Sequence, residues 1–357
     1  MNRKTKRIVP AILCAALVLC SLAFALACRA LGRILPSQTA AERWAGEGET
    51  AYSQLSCCLA VDEPVTLNQI YAFRYAILDR LHEAGLEADT DTRLFRDAWS
   101  IVGKVHATSE LGHGDLSVLA VGGDFFHFHQ LPLLSGCYLS ESDLMQDRVL
   151  LDEESAWLLF GGIDLEGMEI KLDGVPFVVS GVVSREDDFA SKKAYRDGMG
   201  IFMSYDAYRQ LKGLDGASCY ELVMAEPVKD FALSFVKEKF PIGQGEILVN
   251  SGRYGFSRLL GLIGSFGERS MQTHGVLYPY WENAARCTED WAALCLLLCL
   301  LCALFPACLL LFLLIRTVRR GWRSLRDKRL PELREKAETA WNKRQRKRWE
   351  KKHPGEV

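Results

Sequence analysis

The sequence predicts an α+β domain of two mixed α/β subdomains, flanked by two transmembrane α-helices. Three observations lead there. Two long apolar runs lie toward the two ends of the chain, strand-like and helix-like segments alternate between them, and an Asp-Gly pair separates two β-prone runs in the middle.

The first apolar run, Ile8 to Leu31, holds no acidic residue and no basic one before Arg29, so it sits in hydrocarbon without burying a charge. A bilayer core needs about 20 such residues. The second, Trp291 to Ile315, is also free of charge, and its Pro306 is tolerable because neighbouring turns or waters satisfy the freed carbonyl. Basic residues resist translocation, and they cluster just outside both runs: Arg3, Lys4, Lys6 and Arg7 before the first, Arg316, Arg319, Arg320 and Arg323 after the second. The expected order is therefore a cytoplasmic N-terminus (1–7), a first transmembrane helix (8–31), an extracytoplasmic domain (32–290), a second transmembrane helix (291–315) and a basic cytoplasmic tail (316–357). This describes a multi-pass protein of the cell membrane with both termini cytoplasmic.

The first run also fits a secretory signal, with Ala25-Leu26-Ala27 as a cleavage site and Cys28 hinting at a lipoprotein. Its length of about 20 residues exceeds the roughly 7 to 15 of a signal core and favours an uncleaved anchor. The net charge of −2 conceals a polarity. Residues 30–315 carry 22 Lys and Arg against 39 Asp and Glu, a net of −17, whereas residues 316–357 carry 16 against 6, a net of +10.

Within the outer domain, Ala51 to Val61 reads as a strand and Leu67 to Leu86 as a helix stopping at Gly85. Strands follow over Phe95 to His106 and Leu116 to Val121, with the turn at Gly112 to Gly114. Arg148 to Leu151 is a short strand, Glu153 to Phe160 a helix ended by Gly161-Gly162. Residues 168–183 form a hairpin about Asp173-Gly174, a pair that accepts positive φ. Further candidates are Tyr205 to Leu211, Cys219 to Ala225, Val228 to Phe240 and Glu246 to Val249, and then an amphipathic helix from Gly255 to about Thr273. The outer cysteines, Cys57, Cys58, Cys137, Cys219 and Cys287, are odd in number and lack metal-ligand spacing. They leave room for one bridge, its partners open.

Several short motifs occur in an order that resembles the extracytoplasmic core domain of MacB-type ABC transporter permeases, which share an FtsX-like membrane domain. GGDFF (122–126) is similar to the family's glycine-aspartate-aromatic turn. LPLLSGCYLSESD (131–143), RVLLDEESAWLLFGG (148–162) and EIKLDGVPFVVSGVV (169–183) are similar to the segments that follow it. Cys137 stands where the family places arginine after Gly136. A full permease of this type has two further spanning helices, so the resemblance implies a MacB-core-like domain in a chain truncated after its second helix, its transport half missing or encoded elsewhere.

No phosphate loop G-x-x-x-x-G-K-[ST], H-E-x-x-H, G-x-S-x-G or aspartate-rich calcium loop is present. The expectation is a protein that is not an enzyme, with no catalytic, cofactor-binding or metal-ligating residue to nominate and no cofactor. His127-x-His129 would place both imidazoles on one face of a strand, with His106 and His113 nearby in sequence. No carboxylate or cysteine completes a ligand spacing, and the pair reads as a surface turn after Phe125-Phe126. Glu186-Asp187-Asp188 reads as a solvated loop. Cys295, Cys299 and Cys302 share one helix face, where small side chains let helices approach closely in lipid.

The basic tail, with Trp322, Trp341 and Trp349, suits anionic lipid headgroups rather than nucleic acid. In the resembled family its start is the region that touches the ATPase. The resemblance thus implies a permease-like membrane subunit of a MacB-type ABC transporter system, transmitting ATPase-driven conformational change to the outer domain. Its partners would be a separate ABC ATPase subunit, the lipid bilayer, and other permease subunits in a homo- or hetero-oligomer. The alternative is a two-span accessory or sensor protein whose outer domain binds a ligand or protein without transport.

Overall fold

Alternation along the central strands sorts their side chains onto two faces and thereby sets the architecture. The computed structural model describes residues 5–46, 50–60, 62–86, 93–140, 143–195, 200–265, 276, 278–326 and 330–352. Two compact units emerge, one of Leu26–Leu297 and one of Met1–Ala25 with Leu298–Val357.

In chain order the elements are α1 (Thr5–Leu31), a 3-10 turn (Pro36–Gln38), α2 (Ala40–Ala45), β1 (Tyr52–Cys58), α3 (Leu67–Glu83), β2 (Phe95–Thr108), β3 (His113–Gly123), α4 (Phe125–Phe128), β4 (Leu133–Gly136), β5 (Arg148–Asp152) and α5 (Glu153–Phe160). They continue with β6 (Glu169–Leu172), β7 (Val175–Val183), α6 (Phe189–Ala194), β8 (Ile201–Ser204), α7 (Tyr205–Lys212), β9 (Cys219–Ala225), α8 (Phe231–Lys239), β10 (Glu246–Val249), α9 (Phe256–Leu262), α10 (Tyr280–Ser324) and α11 (Leu330–Lys352).

The strands form one mixed sheet in the order β10-β1-β9-β2-β3-β8-β5-β7-β4, with β6 paired to both β2 and β7. Pairs β3/β8 and β5/β7 are parallel and the rest antiparallel. Through β6 the pairing closes a ring, β2-β3-β8-β5-β7-β6, and β9-β1-β10 extends from it as a wing. The two halves expected from the sequence are thus joined by a shared strand. β2 is long enough to serve both, meeting β9 over Phe95–Ser100 and β6 at Ala107–Thr108.

One face buries Leu55, Cys57, Tyr220, Leu222 and Met224 beneath α3, α5, α7 and α8; the other buries Cys58, Cys219 and Val223 beneath α2, α4 and the start of α10. On the first face α3 contributes Ile70, Phe73, Ile77 and Leu81, at helical spacing. Its start is fixed by a capping box, with Thr66 N–H donating to Gln69 Oε1 at 2.9 Å and Gln69 N–H to Thr66 Oγ1 at 3.4 Å. Arg74 forks onto the buried Asp97 carboxylate at 2.9 Å from both Nε and Nη2, and Tyr220 Oη donates to the same carboxylate at 3.0 Å.

Most of the expected elements are present within a few residues. The Asp173-Gly174 turn has φ of 48° and 86°, the positive pair a two-residue hairpin needs. The short elements α2, α4, α6, β4 and β8 carry too little periodicity to announce themselves. The amphipathic helix expected from Gly255 is α9, which stops at Leu262; residues 266–273 lie outside the described ones, as do Arg3, Lys4 and Val61. In the second unit, Ser21 Oγ on α1 donates to the Cys299 carbonyl at 3.1 Å and lies 3.3 Å from its Sγ, so the cysteine face packs on a small residue of the other apolar helix.

Gly136 and Gly181 face each other across β4 and β7. A Cβ on Gly181 would lie 2.3 Å from the Ser135 carbonyl, and one on Gly136 2.1 Å from that of Ser180. Gly181→Ala is expected to destabilise the domain by about 1–3 kcal/mol through overpacking. Gly162→Ala, with open space around it, should change stability by less than ~0.5 kcal/mol. Thermal denaturation of the two variants checks the contrast.

Candidate functional site at the root of the second apolar helix

The apolar run at Trp291 does not begin its own helix. α10 starts at Tyr280, and its first three turns belong to the compact unit Leu26–Leu297. Glu282, Arg286 and Glu289 fall on one helix face at i, i+4 and i+7, and all three are buried, at 1%, 4% and 2% exposed. Ala284, Ala285, Ala292 and Ala293 are fully buried beside them.

Their partner comes from the loop between β10 and α9. Arg253, 4% exposed, places Nη1 2.7 Å and Nη2 2.6 Å from the two oxygens of Glu282, and its Nε 2.9 Å from Glu289 Oε1. Arg286 Nε reaches Glu282 Oε1 at 2.7 Å and its Nη2 reaches Glu246 Oε2 on β10 at 2.9 Å. Burial pulls both guanidinium groups down, but the facing carboxylates outweigh it and hold each above its ordinary value. The Arg286 guanidinium also lies over the Tyr278 ring, 3.7 Å from its centre.

The connector that follows α1 joins the same knot. Arg253 Nη1 donates to Gln38 Oε1 at 3.0 Å. Alongside it, Gln54 of β1 donates to the Ser37 carbonyl at 2.6 Å and accepts from Ala40 N–H at 2.9 Å, so residues 37–40 are laced to the sheet. A single arginine therefore ties the segment leaving the first apolar helix to the segment entering the second.

An aromatic cluster seats the next face of α10. Trp281 lies 4.4 Å from the His129 ring and 5.8 Å from Phe125, ring centre to ring centre. Tyr280 stacks on Tyr195 at 4.3 Å and donates to Glu186 Oε1 at 3.1 Å. Glu186-Asp187-Asp188 is indeed a loop, with fixed duties: Glu186 accepts from both tyrosines, and Asp188 caps α6 by accepting from Ala190 and Ser191 N–H at 2.9 Å.

The two histidines of His127-x-His129 part company, because α4 and its C-cap replace the strand that would have aligned them. His129 is not on a surface turn. It is 1% exposed, and its Nε2 lies 2.6 Å from Glu221 Oε2 of β9, also buried. The hydrophobic run around it conceals this, since the carboxylate it meets is 92 residues away. His127 faces Trp44 at 5.4 Å, and Arg43 donates to its carbonyl at 2.7 Å. Burial first, then the Arg96 and Arg43 charges, lower its pKa to about 4. His106 and His113 sit on the β2/β3 hairpin, rings 6.2 Å apart, with His106 Nδ1 2.7 Å from Asp115. Among the described residues no three His, Cys, Asp or Glu side chains gather as a metal-ligand set. A cleft of about 750 Å³ lies beside the root of α10, its walls including Ile101, Val102, Tyr195, Leu214, Tyr278 and Tyr280.

Among the described residues two helices are long and apolar enough to cross a membrane, Val9–Leu31 and Tyr280–Arg323. Residues 66–231 match the model of the MacB-like periplasmic core domain. Over that stretch the chain is similar to the MacB-like periplasmic core domain. The solved extracellular domain of the noncanonic ABC-type transporter YknZ from Gram-positive bacteria is 13% identical, with 56% of this chain and 98% of that one covered and a TM-score of 0.38. The periplasmic region of MacB from Actinobacillus actinomycetemcomitans is 14% identical, with 56% and 89% covered and a TM-score of 0.37. No curated protein matches. The MacB-like match runs from the cap of α3 to the start of α8, so Gln38, Arg253, Glu282, Arg286 and Glu289 all lie outside it.

Arg253→Ala leaves Glu282 and Glu289 buried without their principal cation, and a loss of about 3–5 kcal/mol is expected. Denaturant titration of the purified chain measures it. The lowered pKa of His127 gives a pH dependence. The unfolded chain takes up a proton near pH 6.5 and the folded one only near 4, so stability falls as the pH drops through that window. Melting curves between pH 7 and 4 should flatten in His127→Asn relative to the parent.

Proposed function

We propose that this chain is a permease-like membrane subunit of a MacB-type ABC system, in which a separate ATPase's cycle is transmitted to the outer domain. The observation that carries this reading is α10. One unbroken helix runs from a buried ionic knot in the MacB-like domain, through an apolar stretch, to Arg316, Arg319, Arg320 and Arg323. A helix transmits axial displacement because its turns are braced by their own hydrogen bonds, the bond that Pro306 removes excepted. A force applied at its basic end would reach Glu282 and Glu289, and through Arg253 both the sheet and the connector after α1.

In this reading both termini are cytoplasmic, as the basic residues at 3–7 and 316–323 favour. The exposed basic helix α11 meets anionic headgroups or the ATPase itself. Other permease subunits complete the membrane path, and the contribution of this chain is shape change and binding surface, not catalysis.

The test is purification of the tagged, intact chain in mild detergent with mass spectrometry of what accompanies it. An ABC ATPase in near-equal amount, lost on deletion of residues 316–357, is expected. Arg253→Ala should keep the ATPase bound while uncoupling its cycle from protease sensitivity of the outer domain. Recovery of the chain from native membranes with no ATPase would overturn the proposal in favour of an accessory or sensory role.

A further inference from the structure

The antiparallel register of β1 and β9 sets Cys58 directly opposite Cys219. Along this ladder Leu59 N–H donates to the opposite Ser218 carbonyl at 2.9 Å, and Glu226 N–H to the opposite Ala51 carbonyl at 2.8 Å. The odd-numbered residues of β1 thus make the hydrogen-bonded pairs. Cys58 and Cys219 form a non-hydrogen-bonded pair, the kind in which Cα atoms stand about 4.5 Å apart. That spacing lies within the roughly 4.4–6.8 Å a disulfide spans.

Both side chains enter the same buried cluster, at 0% and 2% exposed. Cys57 points to the opposite face and packs in the other cluster, as strand alternation requires. Cys137 is exposed and Cys287 half-buried.

We propose that Cys58 and Cys219 form a cross-strand disulfide in the outer domain, and that Cys57 takes no part in it. The bond needs an oxidising compartment, so the proposal rests on the outer placement of the domain and not on the ATPase reading. The oxidant is a disulfide, either of a thiol–disulfide oxidoreductase or of oxidised glutathione. One thiol, having lost its proton, attacks that disulfide and forms a mixed disulfide, releasing the first thiol of the oxidant. The second cysteine, deprotonated in turn, attacks the mixed disulfide and releases the other. The protein loses two hydrogens and the oxidant's disulfide becomes two thiols.

Timing follows from the surroundings. Contact with Cys58, and then burial, push the Cys219 thiol well up, so thiolate is scarce once the cluster has closed. The bond forms while the strands are still accessible and is shielded afterwards. It sits one non-hydrogen-bonded rung from Ser56/Glu221, where Glu221 holds His129 under Trp281. The bond therefore pins β1 to β9 beneath the root of α10.

The experiment alkylates the intact chain carrying Cys57→Ser in denaturant without reductant, then reduces it, applies a second alkylating label and maps both by mass spectrometry. In the same cells, converted to spheroplasts, Cys137 is challenged with a membrane-impermeant maleimide to report placement independently. Expected are a linked peptide pair, the second label alone on Cys58 and Cys219, and loss of the link in Cys58→Ser. Reductant should open the bond in denaturant but leave it closed in the native chain. The first label on both cysteines with Cys137 reactive would overturn the disulfide and leave the placement standing. The same labelling with Cys137 shielded would overturn the placement and the disulfide with it. Should Cys57→Ser fail to accumulate, fragmentation of the parent peptide between Cys57 and Cys58 assigns the link, and a bond to Cys57 refutes the proposal.

Discussion

Burying Arg253 between Glu282 and Glu289 removes three charges from water, and the cost of doing so is recovered only if every donor finds its acceptor. That requirement fixes how α10 sits on the domain. With Glu282, Arg286 and Glu289 on one face, a rotation of the helix by one residue would swing each charge away from its partner and leave Arg253 buried alone. An apolar face of the same size would tolerate several rotations at similar energy. The ionic knot therefore sets the register of the helix as well as its attachment, and Gln38 brings the connector after α1 under the same constraint.

The rest of the fold is arranged to hold that knot still. β10 carries Glu246 and the Arg253 loop follows it directly; β10 pairs with β1, and β1 with β9. On the face beneath α10, residues 54, 56 and 58 of β1 and 219 and 221 of β9 make a buried polar seam within an otherwise apolar layer. Asn250 Nδ2 donates to Ser56 Oγ at 3.0 Å, Ser56 Oγ to Glu221 at 3.4 Å, and Glu221 meets His129 at 2.6 Å. In a low-dielectric layer each of these contacts is stronger than in water, and each unmatched partner costlier. The seam thus links the wing of the sheet to α4 and to Trp281. β2, shared by ring and wing, joins this seam's side of the sheet to the ring through its pairs with β9, β3 and β6.

What the sequence by itself determined are the features written in local order: two apolar runs, the α+β alternation, the Asp173-Gly174 hairpin, the stop at Gly161 and the boundaries of α5, β9 and β10. Periodicity of 2 or 3.6 and the φ preferences of glycine act within a few residues, so they can be read without knowing the fold. The motif order from Val121 to Val183 was legible for the same reason. Only the tertiary structure decided which charges are buried. Glu282 and Glu289 look in sequence like the solvated face of a helix leading into a membrane, because the arginine they both bind lies in a loop some 30 residues upstream. His129 looked like part of a surface turn until Glu221 arrived from another strand, and the choice between Cys57 and Cys58 awaited the strand register. Burial and pairing are properties of elements brought together from afar, and a chain read along its length does not contain the distances that settle them.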